Sequence, residues 1–244
     1  MEWRDQGMVL SVRKHGETSV ILEVFTSEHG RHAGVVRGGT SRKLKPVLQP
    51  GSQVQVDWSA RLETHLGSFR VEPIRSRAAQ VMGNRRALEG LNAICALSGF
   101  CLGEREPAAG IYALTLDLVD RVGEGEDWLS DYARWEAVLL SDLGFGLDLD
   151  ACAATGQFED LIYVSPKTGR AVSREAGAPW ADRLLPLPGF LRDGGGPVST
   201  DDILAALKTT GHFLSTSVAP ALGRQDLPDA RERFIAGIRK LKRQ

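Results

Sequence analysis

Cysteine is scarce in this chain, with three among 244 residues. Cys95, Cys101 and Cys152 are an odd set, and two of them fall in a helical pattern, so no disulfide framework is expected. Long apolar runs are missing as well. The longest are pieces such as Ala137 to Leu140, far short of the roughly 20 residues that span a bilayer, so no membrane-spanning segment is expected. The opening Met1, Glu2, Trp3, Arg4, Asp5 has neither a basic stretch nor an apolar one of the secretory kind, and the expected location is the cytoplasm. The Gly-Lys-Ser/Thr ending of a phosphate-binding P-loop is absent, which disfavours nucleotide hydrolysis. After Cys152 come Ala153, Ala154 and Thr155 where a zinc knuckle needs Cys-x-x-Cys, and one thiolate cannot close a tetrahedral site. His15, His29, His32, His65 and His212 are scattered, with no motif tying one to a Ser or Cys nucleophile. No catalytic residue, metal or cofactor is therefore expected.

What is present is a foldable composition, 42% hydrophobic and 25% charged, with a net charge of −1 that hides a strong asymmetry. Residues 1–80 carry 12 cations against 8 acids, residues 81–230 carry 12 against 22, and residues 231–244 carry 6 against 1. Within the first block, residues 31–50 hold Arg31, Arg37, Arg42, Lys43 and Lys45 and no acid, the footprint expected of a surface for a polyanion.

The pattern of the first 75 residues is that of short strands: Gly7–Val12, Ser19–Thr26, Arg31–Val36, Gln53–Trp58 and Ser68–Val71 are β-branched or alternating, and Val54, Val56 and Trp58 oppose Gln53, Gln55 and Asp57. Glu28, His29 and Gly30 suit a hairpin turn, and the prolines of Lys45–Gly51 bound a loop. Five such strands suggest an antiparallel barrel, most simply an OB-fold, with an SH3-like barrel as the competitor. Past residue 80 the period becomes helical, at Leu88, Leu91, Cys95, Ser98 and Leu102, at Ile111, Leu114, Leu118 and Val122, and at Leu129, Tyr132, Leu139 and Leu143 before Gly144. Residues 145–198 are irregular, with a short hairpin expected around Leu161–Val172 and a flexible run at Gly194, Gly195 and Gly196. Helical spacing returns at Ile203, Leu204, Leu207 and Leu214 behind a Ser199 or Thr200 cap, and a last helix is expected from Pro228 to about Leu241. The expected class is α+β: an N-terminal five-stranded OB-fold barrel over residues 1–80, then an α-helical domain over 81–244 with an irregular, zinc-free insertion at about 145–198.

The densest chemical signal is Arg37, Gly38, Gly39, Thr40, Ser41, Arg42, Lys43, Leu44, Lys45. Glycines let a phosphate approach the backbone, hydroxyls donate to it, and cations neutralise successive charges. Arg13 and Lys14, between the first two strands, could extend the same face, although a charged hairpin tip is also an ordinary solubility device. Trp3, Phe25, Trp58 and Phe69 are the aromatics available for base stacking, but Trp58 shares its face with valines and suits a core better. Asp148 and Asp150 are the only carboxylate pair that suggests a metal-dependent nuclease, and they follow a helix terminus where exposed acids are common.

The chain also resembles the bacterial RecO family of recombination mediators, especially its shorter-loop proteobacterial members. The likeness is carried by Gly16, Glu17, then Phe25, Thr26, His29, Gly30; by Arg37, Gly38, Gly39 with Ser41, Arg42; by Leu48, Gln49, Pro50, Gly51; by Leu143 to Leu149; and by Tyr163 to Gly169. The resemblance implies an amino-terminal OB-fold and a helical carboxy-terminal domain. Many members carry a four-cysteine zinc element in the latter; here only Cys152 stands at its start, with Thr155 second and Val172, Ser173 and Ala176 where the later pair would be, so a zinc-free version is implied. It further implies a non-catalytic protein that binds single- and double-stranded DNA, anneals complementary strands, and works with RecR to load RecA onto DNA coated by single-strand-binding protein. The expected DNA-binding residues are Arg13, Lys14, Arg37, Gly38, Gly39, Ser41, Arg42, Lys43 and Lys45. Arg239, Lys240 and Lys242, beside the stripe Phe234, Ile235, Ile238 and Leu241, are the expected site for the acidic tail of single-strand-binding protein. An RNA-binding OB module is the remaining alternative.

Overall fold

A computed structural model describes residues 1–125, 127–192 and 196–241; Gly194, Gly195, Lys242 and Arg243 lie outside the described residues. The chain forms two compact units, Met1–Gly123 with Pro228–Phe234, and Glu124–Leu227 with the residues from Ile235 onward. The boundary expected at residue 80 closes the strand-rich part, and the first unit continues past it through two further helices.

Five strands build the first unit's barrel: β1 (Glu2–His15), β2 (Ser19–Thr26), β3 (Gly30–Val36), β4 (Gln53–Ser59) and β5 (Ser68–Arg75). They close in the order β1-β2-β3-β5-β4, the OB-fold arrangement, with β3 meeting β5 in parallel through the single pair Val35–Ser68. β1 is longer than its alternation suggests. Residues 2–8 pair with β4 and residues 7–15 with β2, and a bulge between Val9 and Ser11 bends the strand so that one chain segment serves both neighbours. The polar Arg4, Asp5 and Gln6 hide this pairing from a pattern search.

Inward positions of all five strands fill the barrel: Val9, Val20, Leu22, Val24, Val36, Val54, Val56, Trp58 and Phe69, capped by Leu48 from the loop before β4. Trp58 is core, as its alternation with Val54 and Val56 implies. Gln53, placed by the same alternation on the solvated face, is instead buried. It accepts from Arg77 Nη1 at 2.9 Å and donates to the Tyr112 hydroxyl at 3.0 Å, while Arg77 Nε reaches Asp120 Oδ1 at 2.5 Å. A buried amide is tolerated where both its ends are satisfied.

Helices α1 (Arg77–Val81), α2 (Arg85–Cys101) and α3 (Ala109–Arg121) complete this unit. Asn84 caps α2 by accepting the Ala87 N–H, and α2 presses Leu91 onto Gly51, where a Cβ would stand 2.6 Å from a leucine methyl. The second unit holds α4 (Trp128–Asp142), a three-stranded sheet of β6 (Leu161–Val164), β7 (Ala171–Ser173) and β8 (Leu185–Pro186), the short α5 (Arg174–Gly177), and α6 (Thr200–Phe213). Ser199 and Asp202 form a reciprocal capping box at the start of α6. A π-helical turn (Leu214–Val218) and α7 (Ala219–Ala221) follow, and α8 (Asp229–Leu241) ends the described chain. Among the described residues no helix is long and apolar enough to cross a membrane.

Candidate nucleic-acid interface

The basic segment after β3 is an ordered turn. Ser41 N–H donates to Gly38 O at 3.0 Å, Lys45 N–H to Ser41 O at 2.9 Å and Leu48 N–H to Leu44 O at 3.0 Å. Gly38 has φ +68, which a side-chain-bearing residue resists, and a Cβ on buried Gly39 would stand 2.5 Å from Val20. The two glycines thus set the turn and its close seating on β2, a structural duty in place of open phosphate contact at Gly39. Leu44 and Val47 pack against the barrel core, which leaves Arg37, Thr40, Ser41, Arg42, Lys43 and Lys45 exposed. The turn is pinned to the β1–β2 connection, where the Thr40 N–H and hydroxyl both donate to Thr18 O at 3.2 Å.

That pin brings the first basic cluster to the second. Lys14 and Lys45 line one concavity of ≈ 510 Å³ with Glu17, Thr40, Gln49 and an apolar floor of Val12, Val20 and Leu48. Arg13, one residue back along β1, alternates to the opposite side of the strand. The cationic ends of Arg13, Lys14, Arg37, Arg42, Lys43 and Lys45 meet no acidic partner among the described residues. Arg31, counted with them from sequence, is different: it is ion-paired to Glu23 and donates to Leu102 O at 2.9 Å, so it serves the fold.

On the other side of the turn lies a larger groove of ≈ 880 Å³, lined by Arg4, Arg37, Leu44, Trp58, Phe69 and Arg70 among others. Trp3 lines it as well and stacks with two rings, with His29 at 4.0 Å and with Trp58 at 5.7 Å. Phe25 is fully buried against Tyr112 and unavailable for stacking. Behind Trp3, His32 is 3% exposed, and neither ring nitrogen has a hydrogen bond. Burial, then the electrostatic influence of Arg105 and, less, of His29, pushes its pKa down to about 4, so it is neutral at neutral pH. Arg105 sits at φ +63, donates to Glu63 O and to His65 O at 2.8 Å, and lies 5.9 Å over Trp58, holding the β4–β5 loop in place.

Two matches with family models span most of the chain: the description "Recombination protein O N terminal" fits residues 1–77 and "Recombination protein O C terminal" fits residues 82–226. The chain belongs to the RecO family. A protein of Roseobacter denitrificans named DNA repair protein RecO is 60% identical, over 96% of this chain and 97% of the relative. Similarly named proteins of a Ruegeria species and of Dinoroseobacter shibae are each 56% identical, covering 98% and 96% of this chain and 98% and 97% of theirs.

Asp148 and Asp150 are the carboxylates expected of a metal-dependent nuclease. Asp148 is exposed and paired with Arg170 Nε at 3.1 Å, Asp150 is exposed, and neither joins other metal-binding side chains; among the described residues Asp5, Glu28 and His29 form the sole group of that kind. The residues around Cys152, where many family members carry zinc, do not fit that metal. Cys152 Sγ is buried 3.5 Å from the Ser173 hydroxyl and accepts the Ser173 N–H at 3.3 Å, so a serine and backbone donors surround a single sulfur. On α8, Phe234, Ile235 and Ile238 are buried. The apolar side of this amphipathic helix is thus covered. Arg239 and Lys240 remain exposed, and Lys242 lies outside the described residues.

Proposed function

We propose that this RecO-family chain is a non-catalytic, cytoplasmic DNA-repair and recombination mediator that binds single- and double-stranded DNA, anneals complementary strands, and works with RecR to load RecA onto DNA coated by single-strand-binding protein. One observation carries the reading. Two basic clusters distant in sequence, Lys14 and Arg37–Lys45, are held together on the barrel by the Thr40–Thr18 hydrogen bonds, and their charges have no acidic partners among the described residues. Unpaired cations on an ordered turn neutralise phosphates without reading base edges, which suits a protein that acts at any sequence. The exposed Arg239 and Lys240, with Lys242, are the proposed contact for the acidic tail of single-strand-binding protein, through charge rather than through the buried stripe. The reading is tested by strand annealing of complementary oligonucleotides, bare and coated by single-strand-binding protein. Faster annealing in both cases supports it; magnesium-dependent cleavage of the strands, or a preference for structured RNA over single-stranded DNA, would replace it.

A further inference from the structure

The groove between the basic turn and β5 has a chemistry the turn itself lacks. Beyond the Val35–Ser68 pair, β3 and β5 part, and Arg37 and Leu44 face Phe69, Arg70 and Val71 across the gap. Acids are present too: Asp57, and Glu72 beside the groove, both pair with Arg4, at 3.4 and 3.5 Å, while the exposed Glu2 also lines it. Arg37 and Arg70 are exposed and, among the described residues, unpaired, so one free cation stands on each wall. The floor is aromatic and aliphatic. Trp3, stacked with His29 and with Trp58, lines the groove beside Phe69, Val36 and Val71. Two free guanidiniums above an apolar floor match an unpaired strand, whose phosphates meet the arginines while a base swung out of the helix meets the rings. A duplex keeps its bases stacked inside and so offers phosphates to the arginines but no free base to the rings.

We propose that this groove, with Arg70 as its distinguishing residue, is a single-strand-specific subsite, and that the exposed cations Arg42, Lys43 and Lys45 serve single strands and duplexes alike. The proposal rests on the DNA-binding reading above and divides its labour between two surfaces. Arg70 was invisible to sequence analysis because it lies outside the acid-free run, and only barrel closure brings it into one groove with Arg37.

The test compares Arg70→Ala, Arg70→Lys and the triple variant R42A/K43A/K45A by fluorescence anisotropy on an oligothymidylate and on a hairpin duplex, with intrinsic tryptophan emission recorded in wild type and Trp3→Phe. Arg70→Ala is expected to weaken oligothymidylate binding roughly three- to tenfold and leave duplex affinity unchanged, with Arg70→Lys recovering part of the loss. The triple variant should weaken both. Oligothymidylate should quench wild-type emission more than Trp3→Phe emission, and duplex should not. Equal loss on both nucleic acids in Arg70→Ala, or no loss on either, overturns the single-strand subsite while leaving the general reading intact. If the triple variant also binds both as wild type does, the DNA-binding reading of the turn fails instead.

Discussion

His32 makes the barrel acid-sensitive, and the size of the effect follows from its surroundings. The ring is enclosed by Trp3, Trp58 and Phe69 in edge contacts, has no hydrogen bond at either nitrogen, and is held neutral with a pKa of about 4 against 6.5 for a free histidine. A base whose folded pKa is depressed contributes fully above the unfolded value and loses that contribution as pH falls from about 6.5 toward 4, because the unfolded chain takes up the proton and the folded one does not. At 1.36 kcal/mol per pKa unit the full loss is about 3 kcal/mol, of which about 2 kcal/mol is gone by pH 5. His32→Phe keeps a ring in the aromatic cage and removes both unpartnered nitrogens, so it should be at least as stable at pH 7.5 and fall less steeply on acidification. Urea unfolding of both proteins at pH 7.5 and 5.0, with the His32 proton resonance followed by NMR, measures this. A His32 resonance that titrates near 6.5, or identical acid sensitivity in the variant, would refute the reasoning.

Arg77→Ala strands the buried Gln53 carbonyl, while Asp120 keeps its second partner, Arg75 Nη1 at 2.8 Å, so a cost of about 2 kcal/mol, mainly from the stranded amide, is expected in urea unfolding. A loss below about 1 kcal/mol would mean that Arg77 is an incidental ion pair. Charge reversal at Arg239, Lys240 and Lys242 should lower affinity for an acidic tail peptide mainly at low salt, with circular dichroism unchanged; equal peptide affinity by anisotropy removes that placement.

Barrel and helices were legible because they rest on local periodicity. Val54, Val56 and Trp58 announce an inward face, and Ser199 or Thr200 announces a helix start. The first half of β1 was not legible, since Trp3 and Asp5 find their partners some fifty residues away, at Trp58 and Val56. Gln53 was misplaced for a related reason: alternation reports which side a residue faces, and not that Arg77 and Tyr112 wait there to satisfy its amide. In the interface, the exposed cations of the turn could be read from the acid-free run, whereas Arg31 could not be separated from them until its Glu23 partner was seen. The groove was beyond sequence, being assembled from the ends of four strands. The α8 stripe was read correctly as apolar, but only packing shows that it is already covered.

The central claim is that unpaired cations on the Arg37–Lys45 turn hold phosphates, and the salt dependence of binding tests it most directly. With affinity for oligothymidylate measured across a range of salt, wild type should show a steep linear fall of log K with log salt. R37A/R42A/K43A/K45A should show a slope shallower by roughly 0.7 for each phosphate the variant no longer neutralises, with weaker binding to every sequence alike. An unchanged slope in a folded quadruple variant would contradict the account.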